Sequence, residues 1–236
     1  SDPLLPPGVP VARLVDPGLT QSMVECVLAT VLVLHRQMPA YARQQAQGVW
    51  RQLAQPLAAT RRVGVLGLGQ LGRAAGLALT AIGFSVSGWS RNAQEVAAMT
   101  CFSGPEGLPR LLERTDILVN LLPLTADTAG ILGREVFARL PPGAAVVNLA
   151  RGGHLVEQDL LDALASGTLD HAILDVFAEE PLPAAHPFWR HPRITVFPHV
   201  AAYSEPGMAA RIVAENVAAF RAGRPLRGVV DRKRGY

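Results

Sequence analysis

The sequence predicts an α/β protein built on a doubly wound parallel sheet. Three observations carry that expectation. Short apolar runs alternate with segments of helical period along most of the chain. A glycine-rich turn, Gly67-Leu68-Gly69-Gln70-Leu71-Gly72, stands between one such run and one such helix. Finally, Gly67, Ser90, Pro123, Arg151, Asp175 and His199 each fall just past the end of a predicted strand. Open α/β sheets bind their ligands there, where the winding reverses.

Taken in order, Ser1–Asp16 is proline-rich with one short apolar run, Val9–Val15. A long helix is expected over Thr20–Gln37, with Ser22-Met23-Val24-Glu25 as a capping box at its start. Val24, Val27, Leu28, Val31, Leu32 and Leu34 surround most of its circumference, so more than one side needs cover. Ala40–Gln55 is more polar, contains Trp50, and reads as an arm or linker. Strands are expected at Arg62–Leu66, Ser85–Trp89, Ile117–Leu121, Ala144–Asn148, His171–Leu174 and Ile194–Phe197. Helices are expected at Gln70–Ile82, Glu106–Glu113, Arg134–Ala138, Glu157–Ser166 and Glu205–Ala222. Apolar strands joined through helices imply a parallel sheet covered on both faces, wound by right-handed crossovers.

Composition bounds the function. A chain of 236 residues with 49% hydrophobic and 17% charged residues can bury one large core or two modest ones. The formal charge of +3 is small and scattered, which argues against nucleic acid as a partner. Cys26 and Cys101 have no metal-type spacing, and no metal site is expected. The cysteine usage points to a reducing, cytoplasmic compartment. The apolar run Met23–Leu34 contains Glu25 and is shorter than the ~20 residues that span a bilayer, so no membrane span is expected.

The glycine turn has a physical reading. Leu71, Ala75, Ala78 and Ile82 lie at helical spacing after it, and Gly83 supplies a stop. Strand, turn and helix form the first half of a dinucleotide site, the Rossmann arrangement. Gly67 permits a tight turn, Gly69 lets backbone approach a pyrophosphate, and Gly72 lets the helix pack close. The N–H groups from Gln70 and Leu71 onward then face the phosphates with the positive end of the helix dipole. The second strand ends in Trp89-Ser90-Arg91-Asn92, without the carboxylate that would hold a free 2′-hydroxyl. A hydroxyl and a guanidinium favour a 2′-phosphate instead, so NADP(H) is expected over NAD(H).

Arg151 in Asn148-Leu149-Ala150-Arg151-Gly152-Gly153, Glu180 in Asp175-Val176-Phe177-Ala178-Glu179-Glu180-Pro181, and His199 in Pro198-His199-Val200-Ala201-Ala202 stand out from small or apolar surroundings. With GLGQLG and LLPLTADT upstream, these segments resemble the D-isomer-specific 2-hydroxyacid dehydrogenases over essentially the whole chain. The WSR after the second strand and the VDRKRGY terminus are similar to the branch that reduces glyoxylate and hydroxypyruvate. The resemblance implies a catalytic Arg–Glu–His set at Arg151, Glu180 and His199, acting on a small 2-oxo acid. It also implies a cofactor-side role for Asp175 and a cytoplasmic homodimer. In that reading Leu122-Pro123-Leu124-Thr125 lies over the cofactor, with Thr125 near a phosphate. Leu149, Ala150 and His199 line the same crevice. Asp127, Thr128 and Tyr203 are expected to be structural, and His35, His154 and His171 to be surface or packing residues.

The family pattern divides the chain in three. Residues 1–17 correspond to the end of a flavodoxin-like substrate domain. Residues 18–204 are the dinucleotide-binding domain with its dimerisation helix and arm. Residues 205–236 form a helix and tail that return to the substrate domain. Most of that substrate domain is expected to be absent from these residues, so the chain should bind cofactor and reduce substrate poorly. The basic tail Arg232-Lys233-Arg234 reads as a solvated terminus or docking strand. A non-enzymatic, NAD(P)-sensing module of the corepressor kind is the alternative, since related corepressors keep much of the same residue set.

Overall fold

A computed structural model of the chain describes residues 8–14, 16–203 and 206–230. Expectations for Val15, for a helix start at Glu205 and for the tail Arg232-Lys233-Arg234 lie outside the described residues. By packing, the chain falls into two compact units. One is Met23–Ala201, and the other combines the two chain ends, up to Ser22 and from Ala202.

The larger unit holds seven strands: β1 (Arg62–Leu66), β2 (Ser85–Ser90), β3 (Thr100–Ser103), β4 (Ile117–Asn120), β5 (Ala144–Asn148), β6 (Leu169–Leu174) and β7 (Ile194–Val196). They form one sheet in the order β3-β2-β1-β4-β5-β6-β7, and every pairing is parallel. Winding runs outward from β1 to β3, then restarts at β4 on the other side. The switch point therefore lies at the carboxyl ends of β1 and β4. Both central strands are buried at every position of β4 and β5, which explains their unbroken apolar sequences.

The helices are α1 (Pro17–His35), α2 (Met38–Ala46), α3 (Gln70–Ile82), α4 (Gly104–Leu112), α5 (Arg134–Phe137), α6 (Glu157–Ser166) and α7 (Pro206–Arg221). Leu111, Leu112, Phe137, Leu160 and Leu164 from α4, α5 and α6 meet Leu118, Val146 and Leu174 of the sheet in the main core. At the opposite end of the sheet from the switch point, Asp116 accepts from the Arg62 backbone N–H at 2.9 Å and pairs with its guanidinium at 2.5 Å. Burial alone would raise the Asp116 carboxyl, but the bonds and charge from Arg62 hold it below its usual range. This pair ties the starts of β1 and β4 together.

Some boundaries are corrected, and two elements were not foreseen. Helix α1 begins at Pro17, so Ser22 lies inside it and the capping box does not form. Asp16 occupies the start instead, its Oδ1 accepting from the Gly18 N–H at 2.8 Å, with proline in the first turn. Helix α2 occupies Met38–Ala46 within the segment read as an arm or linker, after Gln37 turns in the left-handed region at φ 56°. Strand β3 was not expected: only Phe102 of its four residues is buried, too weak a pattern to read. Strand β6 starts at Leu169, two residues before His171.

By length and composition Gly18–His35 is the one described helix that could cross a membrane. Met23, Val27, Val31 and Leu34 of this helix are buried in the larger unit, as core positions are. In the smaller unit, Ala12 bridges antiparallel to Val229, with the Arg13 N–H donating to the Gly228 carbonyl at 2.8 Å. Helix α7 buries no residue, and Val213, Val217 and Phe220 stay exposed.

Candidate active site

The site begins at the end of β1. Gly67 sits at φ +98°, and a Cβ there would lie 2.9 Å from the Leu121 carbonyl. A Cβ on Gly72 would lie 1.8 Å from the Gly67 carbonyl oxygen, so only glycine lets α3 close on the turn. Gly69 differs: a Cβ there would meet nothing within 4 Å. The turn is closed on both sides and open in the middle. No side chain caps α3, whose first turn begins at Gln70 and Leu71.

Beside this turn lies the end of β2. The Ser90 hydroxyl donates to the Asn92 carbonyl at 2.7 Å, shaping the bend that carries Arg91. Arg91 extends to Asp127 at 3.4 Å, both side chains exposed. Arg73, in the first turn of α3, borders the same bend. Its Nε donates to the Leu68 carbonyl at 3.0 Å, and its guanidinium also meets the Gln94 side chain.

The ends of β4 and β5 are joined by two buried amides. Asn120 and Asn148 are register partners, both fully buried. Asn120 Nδ2 donates to Asn148 Oδ1 at 3.0 Å. Asn120 Oδ1 accepts from the Leu122 N–H at 3.2 Å, and Asn148 Oδ1 from the Ala150 N–H at 3.3 Å. Asn148 Nδ2 donates to the Arg151 carbonyl at 3.1 Å. Backbone partners thus dictate both amide orientations. Leu122, Leu149 and Ala150 are buried around this pair, while Pro123 is exposed. In the loop after β4, Thr128 donates to the Pro123 carbonyl at 2.7 Å and accepts from the Thr125 N–H at 2.8 Å.

Arg151 follows β5 with its side chain exposed and its guanidinium bonded to the Ala150 carbonyl at 2.6 Å. Its carbonyl also meets His154 Nδ1 at 3.1 Å. His154 is fully buried, and burial first of all lowers its pKa, which keeps it neutral. Gly152 explains how this loop docks. A Cβ there would lie 1.9 Å from the Phe177 backbone, so the Arg151 loop rests directly on the segment leading to Glu180.

Asp175, at the end of β6, is buried. Its Oδ1 and Oδ2 accept the consecutive N–H groups of Val200 and Ala201 at 2.8 and 2.9 Å. Its carbonyl accepts the His199 N–H at 2.9 Å. Those bonds hold His199 at φ 56°, a left-handed conformation unusual for a side-chain-bearing residue. The His199 ring turns its Nδ1 to Glu180 Oε2 at 2.6 Å, while Glu180 Oε1 accepts the Phe177 N–H at 2.9 Å. Burial would raise the Glu180 carboxyl. The His199 and Phe177 hydrogen bonds and the charges of His199 and Arg151 outweigh it and hold the group below its ordinary value. Burial and the charge of Asp175 push the Cys26 thiol up to about 11.

The candidate site residues Gly67–Gly72, Ser90, Arg91, Leu122, Pro123, Thr125, Leu149, Ala150, Arg151, Asp175, Glu180 and His199 thus follow the carboxyl ends of β1, β2, β4, β5, β6 and β7. Asn120, Asn148, Gly152 and Arg73 were not singled out, while His154, expected as a surface or packing residue, is buried in packing. The two asparagines had a signal: each ends an otherwise apolar strand, Ile-Leu-Val-Asn and Ala-Ala-Val-Val-Asn. Gly152 had none, since its constraint comes from a segment 25 residues away in sequence.

Comparison with known proteins agrees with this geometry. Residues 28–201 match the family model described as D-isomer specific 2-hydroxyacid dehydrogenase, NAD binding domain. Glyoxylate/hydroxypyruvate reductase A of Yersinia enterocolitica is 46% identical over 232 residues, 98% of this chain and 74% of that protein. A D-isomer specific 2-hydroxyacid dehydrogenase from Xanthobacter autotrophicus Py2, solved with NADPH and MES, superposes with a TM-score of 0.94. It is 44% identical and covers 100% of this chain and 97% of that one. An NADPH-dependent glyoxylate/hydroxypyruvate reductase from Sinorhizobium meliloti, solved with NADP and sulfate, has a TM-score of 0.94 and 43% identity. It covers 99% of this chain and 75% of that one. The sequence motifs, the strand order and these likenesses converge: the chain belongs to the D-isomer-specific 2-hydroxyacid dehydrogenase family.

Proposed function

We propose that this protein is an NADPH-dependent reductase of small 2-oxo acids such as glyoxylate and hydroxypyruvate. The observation that carries the reading is the His199–Glu180 pair at 2.6 Å, on the same end of the sheet as the open glycine turn. The turn fits a dinucleotide: the space at Gly69 suits a pyrophosphate, and the uncapped start of α3 offers it N–H donors. Ser90 and Arg91 suit a 2′-phosphate. Leu122, Pro123, Thr125, Leu149 and Ala150 border the path toward the nicotinamide end.

Bound nicotinamide supplies the hydride, and the chain's own residues manage substrate and proton. Arg151 holds the carboxylate or carbonyl oxygen of the 2-oxo acid and polarises the ketone. His199 gives its Nε2 proton to the developing alkoxide. Glu180, ionised and bonded to Nδ1, fixes the orientation of the ring and leaves Nε2 facing the substrate. Asp175 sets the direction of that ring through the backbone on either side of position 199.

Arg151 and His199 are both exposed, within reach of a small anionic substrate. We read residues 1–17 and 205–236 as belonging with a substrate domain. Assembly is read as a homodimer through α1 and the arm, where Trp50 and Leu57 lie exposed. NADPH oxidation measured with glyoxylate, hydroxypyruvate and pyruvate tests the activity. Oxidation that depends on one of the first two supports it, and none with any 2-oxo acid refutes it. Arg151→Ala should lower kcat/KM chiefly through the 2-oxo acid, and an unchanged value would remove its assigned role.

A further inference from the structure

We infer that Asp127 is a cofactor-specificity residue: it competes with the 2′-phosphate of NADP(H) for the Arg91 guanidinium. The inference rests on the reading that Arg91 meets that phosphate. Strand order places β2 and β4 on either side of β1. Arg91 follows β2 and Asp127 follows β4, so their 3.4 Å ion pair joins the loops flanking the glycine turn. A carboxylate and a phosphate satisfy a guanidinium through the same charge-assisted hydrogen bonds. Without NADP(H), Arg91 leans on Asp127. A dianionic phosphate can replace that carboxylate, whereas the neutral 2′-hydroxyl of NAD(H) cannot. Asp127 thus weakens NADP(H) binding selectively, by holding Arg91 beforehand.

Asp127 is separable from the loop that carries it. The turn is fixed by Thr128, which bonds the Pro123 carbonyl and the Thr125 N–H. The Asp127 side chain is 76% exposed and points to Arg91, so Asp127→Asn leaves those bonds in place.

The test is equilibrium titration of NADPH and NADH into the 236-residue chain, its Asp127→Asn and Arg91→Met variants and the double variant, at 20 and 500 mM NaCl. Exposed pairs are weak, so Asp127→Asn should tighten NADPH by roughly two- to five-fold at low salt. NADH should change by less than about two-fold, as Arg91 does not touch its 2′-hydroxyl. The gain should fade at high salt and disappear in the Arg91→Met background. An unchanged or weaker NADPH affinity in Asp127→Asn overturns the inference, and so does equal tightening of NADH. Arg91→Met reports separately on the underlying reading: a fall of NADPH affinity toward that of NADH upholds it. No effect of Arg91→Met on either cofactor overturns both.

Discussion

Asp175 holds His199 by the backbone rather than by the ring. Its carbonyl accepts the His199 N–H at 2.9 Å, and its carboxylate accepts the two N–H groups that follow. The left-handed turn at His199 depends on that clamp. Asp175→Asn keeps the shape but sets an amide donor against one of those N–H groups. We expect a loss of about 1–3 kcal/mol of stability, seen in urea unfolding, together with lower turnover at unchanged NADPH affinity. Full stability and full turnover would show that the clamp is dispensable.

The glycine turn separates folding from binding. Gly69→Ala adds a methyl group into open space, so the melting temperature should stay within about 2 °C of the original, since surface changes away from contacts are near neutral. NADPH binding should weaken at least tenfold, because the methyl occupies the pyrophosphate position. Gly72→Ala drives a methyl into the Gly67 carbonyl, and overpacking of this kind costs ~1–3 kcal/mol. Differential scanning calorimetry and NADPH titration of both variants check the contrast. Equal loss of stability in the two would contradict it.

These roles also show what the sequence discloses. Gly67, Gly69 and Gly72 were legible because a strand before and a helix after leave a short turn few conformations. The boundaries of β1, β5, α3 and α6 were legible for the same reason: strong periodicity bounded by glycine or by a polar residue. Strand β3 was not, since an edge strand with one buried side chain carries almost no pattern. The start of α1 was misplaced because Ser22 and Glu25 imitate a cap, while the working cap, Asp16, precedes a proline. Within the site, Arg151, Glu180 and His199 could be named, but their arrangement could not. It depends on Gly152 meeting Phe177 and on Asp175 meeting Val200 and Ala201, contacts between segments that only the sheet brings together.

Gly152→Ala should displace the Arg151 loop, as its Cβ would lie 1.9 Å from the Phe177 backbone. The expected cost is ~1–3 kcal/mol. Gly153→Ala, next to it, meets only the flexible end of Leu124 at 3.0 Å and should be far milder. Thermal unfolding of the two variants side by side measures the difference. An order reversed from this one would place the close contact elsewhere.

The depressed Glu180 carboxyl gives stability a pH dependence of known sign. Its folded value lies below the ordinary one, so the native state binds fewer protons than the unfolded state in that range. The contribution is present at neutral pH and is lost as pH falls through the folded value. Glu180→Gln should therefore be less stable than the original chain at pH 7, with the gap narrowing in acid below about pH 4, the ordinary carboxylate range. Chemical unfolding at pH 7, 5 and 3.5 follows it. A gap that widens on acidification would reverse the assignment.

The most direct test of a His199 proton donor is NADPH oxidation in the presence of hydroxypyruvate by His199→Gln. Glutamine keeps the polarity of the position but has no proton acidic enough to transfer. Turnover should fall ~10²–10⁴-fold, while NADPH affinity by direct titration stays within about threefold. A His199→Gln protein that turns over hydroxypyruvate at the original rate would contradict the account at its centre.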